Sequence, residues 1–129
     1  MQIKFASITV DSQEKALRFY TDVLGFSKKS DIPMGEYRWL TVTSPDGVEG
    51  VELLLEPAGF PAAATYQKAL YEAGMPTTAL VSKDILAEYQ QLKARGVQFR
   101  GPPQSFGAIM SVLFDDTCGN LVNLVQPTA

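Results

Sequence analysis

The stretch Asp11-Ser12-Gln13-Glu14-Lys15-Ala16-Leu17-Arg18-Phe19-Tyr20-Thr21-Asp22-Val23-Leu24-Gly25-Phe26 decides how the chain is read. Asp11 with Glu14 three positions on forms an Asp-headed variant of the capping box, so a helix begins here. The periodicity predicts that helix over about 12–23, with Ala16, Tyr20, Val23 and Leu24 on one face. Gly25 ends it, as a residue free to take a positive φ. Upstream, Ile3 to Val10 is rich in β-branched and aromatic residues and reads as a strand. The chain therefore opens with a strand, a capped helix and a glycine stop.

Working outward, Phe26 to about Ser30 reads as a short strand and Asp31–Gly35 as a loop. Tyr37–Thr43 is a strand, Ser44–Gly47 a turn, and Val51–Glu56 a strand stopped by Pro57. A linker, Pro57–Pro61, leads to a helix over about 62–73. The order then repeats. Residues 77–82 form a strand, Asp84 caps a helix carrying Ile85, Tyr89 and Leu92, and Gly96 ends it. Val97–Phe99 begins a short strand, Ile109–Phe114 and Leu121–Gln126 are strands, and Asp115–Gly119 is the turn between them. Gly25 and Gly96 lie 71 residues apart, and Pro57 and Pro127 lie 70 apart. This spacing predicts an α+β fold of two βαβββ modules, about 1–57 and 76–127, joined by a linker and helix at about 58–75. Neither half, at roughly 60 residues, buries much alone, so one shared core and a single domain are expected.

Composition narrows the chemistry. The 129 residues are 46% hydrophobic, carry a net charge of −3 and include no histidine. Triads and Cys-His pairs are thereby ruled out, as are His-bearing zinc and facial-triad iron sites. The 11 basic residues are scattered, which argues against a nucleic-acid surface. No stretch approaches the ~18 apolar residues of a membrane span. The N-terminus reads as a strand rather than a signal peptide, and the single Cys118 suits a cytoplasmic setting.

The Asp11–Phe26 stretch, with Phe19-Tyr20 followed by Leu24-Gly25-Phe26, resembles the first-helix signature of the vicinal oxygen chelate superfamily. That superfamily includes glyoxalase I, bleomycin resistance proteins and extradiol dioxygenases. The closing Phe114-Asp115-Asp116-Thr117-Cys118-Gly119-Asn120-Leu121-Val122-Asn123-Leu124 resembles its last hairpin. The resemblance implies the glyoxalase/bleomycin resistance fold, with curved mixed sheets around a cavity, and a homodimer. In metal-dependent members, one position on the first strand and one on the fourth strand of each module hold a divalent ion. Carried over, these positions are Phe5, Thr77, Glu52 and Asn123. Aligning Pro57 with Pro127 instead sets Leu53 opposite Asn123, which would put a bulge in the first module's fourth strand. Phe5 has no donor atom, Thr77 and Asn123 offer only neutral oxygens, and Glu52 alone is charged. No metal and no other cofactor is therefore expected.

Strand alternation says what lines the cavity. With Phe5 inward, Ser7 and Thr9 follow; Tyr37, Trp39, Thr41 and Thr43 share the inner face of the third strand. Glu52, Leu54 and Glu56 turn inward on the fourth, and Thr77, Ala79 and Asn123 in the second module. Phe106 is the apolar tip of a loop, Gly101–Gly107, which reads as a lid or as a plain connection. Trp39 also suits an ordinary core, Glu52 and Glu56 a solvated edge, and Arg38 a surface ion pair. Aromatic rings beside carboxylates favour a cationic or aromatic small molecule. Two functions are consistent with these residues. One is metal-free binding of a small molecule. The other is a lyase, isomerase or dioxygenase of the same superfamily, with Glu52 as general base or residual metal ligand.

Overall fold

In the computed structural model, which describes residues 1–128, the chain forms two compact units, Met1–Gln67 and the remainder from Lys68 onward. The first contains β1 (Phe5–Val10), α1 (Gln13–Arg18), β2 (Ser27–Met34), β3 (Tyr37–Thr43) and β4 (Glu52–Pro57). After α1 the helix continues as a π-helical turn, Phe19–Val23. Helix α2 (Pro61–Glu72) spans the boundary. The second unit contains β5 (Thr78–Val81), α3 (Ile85–Ala94), β6 (Gln98–Phe99), β7 (Gln104–Phe106), β8 (Ile109–Asp115) and β9 (Leu121–Pro127). The strands form two mixed sheets, ordered β1-β4-β3-β2 and β5-β9-β8-β6, with β7 also paired to β8.

Each unit follows the predicted β-α-β order, and in each the first strand lies parallel to the last. In the first unit Ile8, Val10, Leu40, Val42 and Leu55 are buried, as are Ala16 and Tyr20 of the helical segment. In the second, Val112, Phe114, Val122 and Leu124 are buried with Ile85 and Leu92 of α3. One face of each sheet is thus spent on a helix, which leaves the other face for a site.

Several local expectations need correction. The cap of α1 is Ser12, whose side chain accepts from the Lys15 N–H, not Asp11; Asp11 instead pairs with Lys15 Nζ at 3.0 Å. The predicted loop at Asp31–Gly35 is mostly strand, because β2 runs on to Met34 and turns tightly at Gly35, with φ +64°. β4 pairs with β1 in unbroken register from Glu52 to Pro57, without the bulge that the alternative proline alignment would bring. The register shift lies in β2, between Lys28 and Ser30. Gln104–Phe106 is a strand, and the Gly107 turn folds it back on β8 as a hairpin, so this stretch is not a free loop.

Gln13 has a role that its place in the helix does not announce. β3 and β4 pair only at Thr41–Leu54 and Val42–Leu53. Where the ladder opens beyond them, the Gln13 side chain fills the gap. Its Nε2 donates to the carbonyls of Arg38 (2.7 Å) and Leu55 (2.8 Å), and its Oε1 accepts from the Arg38 N–H (3.0 Å).

The Arg38 side chain pairs bidentately with Asp31 (2.9 and 2.8 Å) and reaches Glu14 at 2.7 Å. The hydrogen bonds from Arg38 lower the Asp31 carboxyl from 3.8 to about 2. A depressed folded-state value stabilises the fold above the ordinary carboxylate range, and that contribution disappears as pH falls through about 2. Arg38→Leu is expected to return Asp31 toward 3.8, followed by carboxyl NMR titration. An unmoved value would show that Lys28, 3.5 Å away, holds Asp31 by itself.

Candidate functional site

Apart from Tyr37, the predicted cavity residues of the first unit gather around β1, β3 and β4 of its sheet. Register sets Phe5 beside Glu52, Ser7 beside Leu54 and Thr9 beside Glu56, with Thr41 across from Leu54. The Phe5 and Trp39 rings meet edge to face, with centroids 5.7 Å apart. Phe5 is half exposed, while Trp39 is partly covered. Thr41 is fully buried; its hydroxyl donates to Glu52 Oε1 at 2.7 Å and accepts from the Ser30 N–H at 3.1 Å. Thr41 therefore positions the carboxylate and has little to offer a ligand directly. Ser7 Oγ donates to Glu56 Oε1 at 3.3 Å. Leu54 is buried between the two glutamates of its strand. Neither Glu52 nor Glu56 is in an ion pair among the described residues. The face is an aromatic pair with two uncompensated carboxylates.

Tyr37 stands apart. It lines a cleft of about 370 Å³ with residues 11–14, Glu36, Arg38 and residues 57–59, none of them on the Phe5–Glu52 face. A Cβ at Gly59 would collide with the Tyr37 hydroxyl, so glycine leaves the room for this ring. Tyr37 is the first residue of β3, paired with Met34 across the tight turn at Gly35.

In the second unit, register places Ala79 beside Asn123 and sets Leu113 on the other side. Thr77 lies before β5, and both its N–H and its hydroxyl donate to the Leu121 carbonyl (3.0 and 3.2 Å). Ala79, therefore, is the partner of Asn123 as Phe5 is of Glu52. Asn123 Oδ1 is buried without a hydrogen-bond partner, the one such side-chain atom among the described residues. Ile109, Ser111, Leu113 and Val125 share this face by register, and exposed Phe106 pairs with Ile109. The polar Ser111 and Asp115 alternate with Ile109 and Leu113 along β8, a signal that could have marked this face in the sequence.

The donors at the carried-over metal positions do not suit a divalent ion. They amount to one carboxylate, already bonded to Thr41, one amide oxygen, and a threonine hydroxyl committed to a carbonyl. Phe5 contributes none. A stable first-row site needs about four good ligands. Among the described residues no group of three or more Cys, Asp or Glu side chains is placed to hold one. Among the described residues no helix is long and apolar enough to cross a membrane.

A sequence profile of the Glyoxalase/Bleomycin resistance protein/Dioxygenase superfamily matches residues 2–124. The chain belongs to that superfamily. The glyoxalase-superfamily protein is 50% identical to the uncharacterised protein YurT of Bacillus subtilis (strain 168), over 98% of this chain and 99% of that one. Among solved structures it is similar to UcmS2, with a TM-score of 0.83 and 27% identity over 100% of this chain and 98% of the other. It is also similar to TnmS3, an antibiotic binding protein from Streptomyces sp. CB03234, with a TM-score of 0.77 and 28% identity over 98% and 96% of the two chains. The mixed α+β architecture with two sheets and three helices matches the fold of these neighbours.

Proposed function

We propose that this superfamily member binds a small cationic or aromatic molecule without a metal, using the open sheet faces. The observation that carries this reading is the first unit's pairing of the Phe5–Trp39 rings with Glu52 and Glu56, carboxylates that no described cation neutralises. Aromatic faces and carboxylates both attract organic cations. The likeness to an antibiotic binding protein supports a binding role. The second unit's own open face, with Ala79 beside Asn123, Thr77 at its margin and Phe106 paired with Ile109, is apolar around one polar group and would be a separate surface for such a molecule. The weak donor set supports the metal-free form. The lone buried thiol, Cys118, suits a cytoplasmic setting. A homodimer is the proposed working form, since closed two-fold dimers are the default oligomer and Phe5, Val81 and Phe106 are exposed apolar groups on strands. Sedimentation at the 14.1 kDa chain mass would overturn that part.

The test is titration of tryptamine, an aromatic amine, against indole-3-acetate, its anionic counterpart, followed by NMR. Tryptamine is expected to shift resonances of Phe5, Trp39 and Glu52. The Glu52→Gln/Glu56→Gln double variant should weaken it about tenfold, since each partly exposed charge contributes up to about 1 kcal/mol. Binding of the anion alone at this face, or no loss in the double variant, would overturn the reading.

A catalytic reading rests on one observation. The Thr41 hydroxyl holds Glu52 Oε1, which fixes the carboxylate while the other oxygen could act as a base. Turnover of a methylglyoxal–glutathione adduct or a catechol, lost on Glu52→Gln, would favour it over simple binding.

A further inference from the structure

A second cleft lies in the second unit, between the C-terminal end of α3 and the edge strand β6. Its volume is about 510 Å³, and Tyr89, Lys93, Val97, Gln98, Phe99 and Pro102 are among its lining residues. Phe99 lies with Phe114 on the side of the sheet away from Asn123, and Tyr89 meets it there; Gln98 alone shares the Asn123 side by register. We propose that this cleft is a separate binding site for a planar aromatic carboxylate.

The first argument is a preformed aromatic floor. Tyr89 and Phe99 meet at a centroid distance of 4.7 Å, and Phe99 in turn meets Phe114 at 5.9 Å. Phe114 is fully buried, so the cleft's rings are anchored to the core and need little ordering when a ligand arrives. Val97 is buried beside them, and Pro102 stiffens the far wall. Apolar walls with a few placed polar groups are the usual make-up of a small-molecule pocket.

The second argument is charge. Lys93 Nζ sits 5.5 Å from the centre of the Tyr89 ring and 3.5 Å from its hydroxyl, and it forms no ion pair among the described residues. The lining contains no acid. From Tyr89 to Pro103 the chain carries Lys93, Arg95 and Arg100 and no Asp or Glu, within a protein whose net charge is −3. An unneutralised ammonium over an aromatic floor selects an anion with a flat ring. The carboxylate would meet Lys93 Nζ, and the ring would lie against Tyr89 and Phe99. The cleft near Tyr37 provides the contrast: Asp11, Glu14 and Glu36 line it, and its Arg38 is already paired with Asp31 and Glu14.

The test uses 2-naphthoate, with 2-naphthamide as its neutral counterpart, on the intact chain by NMR. Naphthoate is expected to bind below about 1 mM, shifting the amides of residues 89–102, and to weaken as salt is raised. Lys93→Gln changes an exposed side chain, so the fold should be retained, and binding should fall at least fivefold, to the level of the amide. Tyr89→Leu should weaken the acid and the amide together. The proposal is overturned if naphthoate leaves residues 89–102 unshifted or shifts the Asn123 face instead. Binding indifferent to Lys93→Gln would overturn it as well. Tryptamine binding at the Phe5 face is read separately, so either site can fail alone.

Discussion

Gln13→Ala is expected to lower the unfolding free energy by about 3 kcal/mol, as much as truncating a buried core side chain. The truncation leaves the Arg38 N–H and the Arg38 and Leu55 carbonyls without the partner they have at 2.7–3.0 Å. Each polar group stranded away from water costs about 1–3 kcal/mol, less where water reaches it. For a chain of this size the midpoint of thermal unfolding should fall by roughly 10 °C. Gln13→Glu sharpens the test. A carboxylate cannot donate, and it would face two carbonyl oxygens, so at neutral pH it should be at least as damaging as alanine. Protonation at low pH should recover part of the loss. The effect should reach the candidate site, because the bridged strands carry Trp39 and Glu56 and tryptamine binding should weaken in parallel. A loss under about 1 kcal/mol would mean that the strands re-pair by themselves when the bridge is removed.

Asp116→Ala should cost about as much in the second unit, about 3 kcal/mol by urea denaturation. Asp116 is fully buried in the turn between β8 and β9. Its Oδ1 accepts from the N–H groups of Cys118 (2.7 Å) and Asn120 (3.0 Å), and its Oδ2 from Asn120 Nδ2 (2.8 Å). The same turn holds Thr117 at φ +63°, where a β-branched residue is strained and needs its neighbours to hold it. With the carboxylate gone, the donors are stranded and the strain is unopposed. Asp116→Asn keeps one acceptor oxygen and should lose about half as much. Equal stability of Asp116→Ala and the parent would show that water replaces the carboxylate.

The α+β class and the β-α-β order could be read from the residues, because period-two alternation and glycine stops are local signals, whereas Phe5, Glu52 and Asn123 are picked out by the family resemblance. The rest depended on contacts between distant segments. Gln13 reads as an ordinary helix residue until β3 and β4 are seen to part beside it. Asp31–Met34 carries loop-like residues, yet pairing with β3 extends the strand through them. Gln104–Phe106 gained its strand in the same way, from β8. The resemblance led to Asn123 and Thr77 together, but only the register showed that Ala79, and not Thr77, neighbours Asn123. The cleft at Tyr89 and Phe99 gave no motif at all, since it is made where a helix end meets a two-residue strand.

The parallel pairing of β1 with β4 also has a bearing on synthesis. Phe5 leaves the ribosome about fifty residues before its partner Glu52, and at about 5–20 residues per second β1 waits several seconds for a neighbour. Ile8 and Val10, both buried in the finished fold, have no strand to cover them in that interval. Chaperone capture of the nascent chain should therefore peak before residue 57 emerges and fall once β4 is out.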